Sequence, residues 1–135
     1  MRTLPITVAA DADYPLPGLL TLPDGAGPFP AVLLVHGSGP QDRDEAVGPN
    51  RPFRDLAVGL AALGVASLRY DKRTFAHGKR LTDALQGRLS VEEEVIRDAL
   101  CAAALLRAEP LICPDRVYLL GHSMGGMLAP RIDAE

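Results

Sequence analysis

The run Arg116-Val-Tyr-Leu-Leu-Gly121-His-Ser123-Met-Gly125-Gly126 sets a serine between glycines two residues away on each side, directly after a short apolar stretch. That spacing suits a strand-to-helix turn too tight for a Cβ at either glycine, and it lifts the serine hydroxyl clear of the backbone. A hydroxyl held in this way is placed to attack an electrophile. With Met124 opening a helix, the Met124 N–H joins the unpaired donors of a helix N-terminus, where a developing anion is stabilised.

A second polar string, His36-Gly37-Ser38-Gly39, follows the aliphatic run Ala31-Val-Leu-Leu-Val35. A glycine-rich loop can turn a backbone N–H toward the same point, with Ser38 the first choice of donor and Gly39 the second. Two such donors form an oxyanion hole, each worth roughly 3–4 kcal/mol to an acyl-transfer intermediate. His36 reads as a hydrogen bonder that orients the loop and not as a base.

These strings need elements to carry them. Ala31–Val35 and Val117–Leu120 read as strands buried on both faces, and Val65–Tyr70 as a third that leaves through Asp71-Lys72-Arg73. Between them, Pro52–Leu63 has helical spacing, with Pro52 in the first turn, Phe53, Leu56, Ala57 and Leu60 on one face, and Gly64 at the C-cap. Ser90 and Glu93 form a capping box for a second helix, with Val91, Val95, Ala99 and Leu106 spaced along it and Pro110 ending it. Residues 1–30 read as a hairpin or two edge strands, with Pro23-Asp24-Gly25 as turn chemistry. Alternating strands and helices predict an α/β fold with a mostly parallel sheet and flanking helices. Functional residues in such sheets gather at the carboxyl ends of the strands, and here those ends carry all three polar strings.

The composition excludes other classes. Apolar residues are 47% and charged residues 23% of a 135-residue chain, which is a globular composition of single-domain size. A net charge of −3 and 4% aromatics leave neither a basic face nor a stacking platform for nucleic acid. No G-x-G-x-x-G or G-x-x-x-x-G-K follows a strand, so no nucleotide cradle is indicated. No apolar run is long enough to span a bilayer, and the N-terminal residues make a poor signal peptide, which predicts a cytoplasmic protein without membrane partners. Cys101 and Cys113 lack metal-ligand spacing and read as reduced, mostly buried thiols, so no metal site is predicted.

Taken together, His36-Gly-Ser-Gly-Pro-Gln-Asp-Arg-Asp44, Arg69-Tyr-Asp-Lys-Arg73 and Gly121-His-Ser-Met-Gly-Gly126 resemble the α/β-hydrolase family, in its bacterial esterase branch near dienelactone hydrolases and prolyl-oligopeptidase-like enzymes. The resemblance implies a truncated α/β-hydrolase fold: one domain over 1–135 with a hairpin at 1–30, an oxyanion loop at 36–44 and a nucleophile elbow at 121–125. It implies a serine hydrolase acting on small-molecule carboxylic esters without a cofactor, with Ser123 as nucleophile and the N–H groups of Ser38 and Met124 as the oxyanion hole.

The family's triad runs serine, acid, histidine along the chain. After Ser123 only Asp133 and Glu135 are acidic, and there is no histidine. Asp133 falls in the helix after the elbow, which is the wrong place for the family's acid. His122 points away from Ser123 in an elbow, and His77 remains as a weak base. Loss of a triad member lowers turnover by roughly four to six orders of magnitude, so the chain is expected to be nearly inactive as given. Asp71, Lys72 and Arg73 are expected to form ion pairs or to bind the rim loops, and Asp42, Arg43 and Asp44 to act similarly near a substrate mouth. Strand 117–120 would form an exposed apolar edge, through which the chain self-associates or is completed by another polypeptide. The alternative reading is a non-catalytic fragment or pseudo-enzyme that works through that edge as an interaction module.

Overall fold

A computed structural model describes residues 1–9, 15–36, 42–46, 49–77, 96–122 and 132. The strands are β1 (Arg2–Val8), β2 (Leu16–Leu22), β3 (Phe29–Val35), β4 (Ala66–Tyr70) and β5 (Ile112–Gly121), and the helices are α1 (Pro52–Ala62), α2 (Arg73–Ala76) and α3 (Arg97–Ala108). The sheet runs β1-β2-β4-β3-β5. β3 pairs in parallel with both β4 and β5, whereas β2 runs antiparallel to β1 and β4. The sheet is therefore mixed, and its parallel part is the part that carries the polar strings.

β1 and β2 form the expected hairpin, but β2 is interior to the sheet and not at its edge. Pro23-Asp24-Gly25 lies on the other side of β2, in the link to β3, where Gly25 takes φ 113°. Gly18 lets β2 approach β4: a Cβ there would sit 2.8 Å from the Arg69 carbonyl oxygen.

β4 is buried along its whole length. One face of the sheet, with Ala31, Leu33, Val35, Leu68 and Tyr70, packs against Ile96, Ala99, Ala102 and Leu106 of the α3 segment. α1 lies over β4 and β2 and buries Phe53, Ala57 and Ala61. Leu56 is exposed and Leu60 half-buried, so the stripe turned inward follows i, i+4, i+8 and not the wider face expected. The end of α1 is as predicted. Gly64, at φ 85°, donates to the Ala61 carbonyl at 3.1 Å and Val65 donates to that of Leu60 at 2.9 Å, a Schellman closure. The capping box at Ser90 and Glu93, with Val91 and Val95, lies outside the described residues.

β5 begins earlier than expected, at Ile112, and is irregular. Its pairing to β3 jumps from Phe29↔Ile112 to Ala31↔Val117, leaving Pro114, Asp115 and Arg116 looped out and exposed. Val117, Leu119 and Leu120 are half-buried and Tyr118 is 55% exposed, so this strand is not buried on both faces. The reason is its position: among the described residues nothing pairs with its outer side. Cys101 and Cys113 are free thiols and half-buried, less covered than expected. No described helix is long and apolar enough to cross a membrane.

Candidate active site at the sheet switch point

From β3 the chain crosses through α1 to β4 on one side. From β4 it returns past β3 to β5 on the other. The gap between the carboxyl ends of β3 and β5 is thus where the winding reverses, the place at which open α/β sheets form their binding crevices. Val35 pairs with Gly121 there, and the His122 N–H donates to the Val35 carbonyl at 3.1 Å. The two polar strings therefore leave the sheet side by side. Of the predicted site residues, Ser38, Gly39, Ser123, Met124 and Gly125 lie outside the described residues, and so do Asp133 and Glu135.

His36, at the root of the first string, is buried. Its Nε2–H donates to the Tyr70 carbonyl, which fixes the tautomer. The imidazole lies edge-on to Tyr70 with ring centroids 4.9 Å apart, and 5.9 Å from the Phe53 ring of α1. Burial lowers its pKa to about 4, against a weaker opposing effect of the Tyr70 hydrogen bond. A ring that is neutral and hydrogen-bonded at neutral pH orients the loop and is a poor base, as expected of it. Burial also raises the pKa of the Tyr70 phenol, with Asp98 and Cys101 adding to the effect, so that group stays neutral.

The turn at 42–46 is braced from several directions. The Glu45 N–H closes on the Asp42 carbonyl at 3.0 Å, and Asp42 Oδ1 accepts the N–H groups of Asp44 at 3.1 Å and Ala46 at 2.9 Å. Asp71, at the end of β4, accepts the Arg43 N–H at 2.9 Å, so it binds the rim loop as anticipated. Arg69 is almost fully buried. Its Nε donates to Asp44 Oδ1 at 3.0 Å and a terminal nitrogen to Thr21 Oγ1 at 3.1 Å, tying β2, β4 and the loop together. Arg51 adds a longer contact to Asp44 at 3.9 Å.

Sequence reasoning missed Glu45. Its backbone takes φ 51°, a conformation that costs a non-glycine residue about 1–2 kcal/mol. Its buried carboxylate receives Nδ1 of His122, the residue before Ser123. Glutamate carries no sequence signal for a left-handed φ, and within Asp42-Arg-Asp-Glu45 it reads as one more solvated charge. Buried Asp98 was hidden in the same way by the apolar run around it. His77 sits just past α2 with Nε2 2.6 Å from the Pro15 carbonyl, on the β2 side of the sheet and away from the β3–β5 gap. Among the described residues no cluster of side chains could hold a metal ion.

A doubly wound sheet whose parallel strands β3 and β5 end side by side at the switch point is the framework of an α/β hydrolase. The chain belongs to the alpha/beta hydrolase family, whose sequence model matches residues 32–134. Over 117 residues it is 53% identical to esterase EstD of Thermotoga maritima, a match covering 87% of this chain and 27% of that protein. The chain thus spans about a quarter of that relative's length. Among solved structures, a dienelactone hydrolase from Anabaena variabilis is 26% identical with a TM-score of 0.65, covering 95% of this chain and 55% of that one. Est1E from Butyrivibrio proteoclasticus, 19% identical with a TM-score of 0.67 and covering 96% and 46% respectively, shares the fold.

Proposed function

We propose that this chain carries the nucleophile and oxyanion hole of a serine carboxylic ester hydrolase. The observation that carries the reading is the Val35↔Gly121 register, which starts the segments of Ser38 and Ser123 from neighbouring positions at the switch point. The similarity to an esterase supports it and favours it over the interaction-module reading. In the proposed cycle Ser123 Oγ attacks the ester carbonyl and its proton passes to a base. The N–H groups of Ser38 and Met124 hold the oxyanion. The alcohol leaves with a proton, and water then releases the acid from the acyl-enzyme. No step needs a cofactor or metal.

The base is the weak point within this sequence. His36 is buried and bonded to Tyr70, His122 is bonded to Glu45, and no histidine follows Ser123. His77, the weak base the sequence offered, is held at the Pro15 carbonyl beside β2, three strands from β5, so proton transfer within the chain is slow. On prolonged incubation a fluorophosphonate probe should label Ser123, slowly for want of a good base, and leave Ser123→Ala unlabelled. Turnover of p-nitrophenyl acetate should lie roughly four to six orders of magnitude below that of an intact triad. Labelling that persists in Ser123→Ala, or none in the native chain, would defeat the nucleophile assignment. Fast turnover would defeat the account of the base.

A further inference from the structure

We infer that Glu45 is a positioning residue, its carboxylate holding His122, at the carboxyl end of β5, against the turn at 42–46. The inference rests on the reading of Ser123 as nucleophile. Three observations carry it. First, Glu45 is 2% exposed, and a buried carboxylate needs a hydrogen-bonding partner. One partner, His122, has a side chain 62% exposed, so burial of the imidazole is not what brings the two together. Second, glycine would hold φ 51° without steric penalty, whereas glutamate brings a carboxylate to that point against backbone strain. Strained backbone that its surroundings over-determine clusters at functional sites. Third, the turn bearing Glu45 is itself fixed to the sheet through Arg43–Asp71 and Asp44–Arg69.

The geometry makes Glu45 a rigid arm. His122 is held by its backbone N–H to Val35 and by its imidazole to Glu45, at the residue before Ser123. A residue fixed at both backbone and side chain sets the direction in which the next one leaves. Nucleophile and oxyanion donors must agree to within a fraction of an ångström, and one carboxylate linking their two loops serves that need.

Amide hydrogen exchange followed by NMR reads this directly and does not depend on activity. In Glu45→Ala the His122 amide should exchange at least about tenfold faster, with Leu33 and Leu68 unchanged. Glu45→Gln keeps an oxygen acceptor for the Nδ1–H and should restore most of the protection. Unchanged His122 exchange in a folded Glu45→Ala overturns the inference, and so does a Gln variant no better than Ala. Should Glu45→Ala lose protection throughout the sheet, His122→Ala removes the same bond from the exposed side. It should reproduce the tenfold loss at position 122, and no loss there overturns the inference. Fluorophosphonate labelling separates the two readings. If exchange responds as expected but the native chain is never labelled, the nucleophile assignment fails and the positioning role stands.

Discussion

His36 shows how one buried side chain makes stability depend on pH. Unfolded, the ring takes up a proton near pH 6.5, while the folded protein resists protonation down to about 4 because burial disfavours the imidazolium. Its contribution is present in full above pH 6.5 and is lost as the pH falls through the window to 4. The loss amounts to ~3 kcal/mol. Urea unfolding at pH 7, 5.5 and 4 should show the fall, and His36→Gln should flatten it. An equal fall in both proteins would place the acid sensitivity elsewhere. At this scale the sequence was informative about residue types: the histidine after an aliphatic strand was legible as an orienting group. Partners were not, because the Tyr70 carbonyl and the His122 ring reach their places through sheet register.

At the scale of elements, β5 is the strand that departs most from expectation. Its apolar run was legible, but half-burial and the loop-out at 114–116 were not, since both go with its having, among the described residues, a paired neighbour on one side. An exposed strand edge with Tyr118 turned outward is a template for pairing with a second chain. Sedimentation should show concentration-dependent association, weakened in Tyr118→Lys, because a charge on an open edge opposes pairing. A monomer at all concentrations would exclude this route. The C-terminal signal of α1 was fully local and held in the structure, as Gly64 and the bonds to Leu60 and Ala61 show. Its buried stripe was read too wide: of the expected face only Phe53 and Ala57 are buried, joined by Ala61, while Leu56 is exposed and Leu60 half-buried.

In the whole molecule, the Arg69 guanidinium joins parts that are far apart in sequence. It bonds Thr21 of β2 and Asp44 of the rim loop from the buried centre of β4. Arg69→Leu would leave Thr21 and Asp44 without that donor and should lower stability by roughly 2–3 kcal/mol, below the full figure for a buried pair because Asp44 is partly exposed. Thermal unfolding measures the loss, and a variant as stable as the native chain would show that the tie is dispensable. The tie also makes the loop's placement depend on the hairpin, two regions that a scan for local motifs treats as unrelated.

Sequence alone determined the alternation of strands and helices, the hairpin, the cap of α1 and the two polar strings that end parallel strands. These depend on side-chain period, turn chemistry and capping, all set within a few residues. Only the tertiary structure decided the order β1-β2-β4-β3-β5 among the described strands, the depth of His36 and the contact of Glu45 with His122. Strand order and buried charge pairs are settled by residues distant in the chain competing for the same neighbours, and no local pattern records who wins.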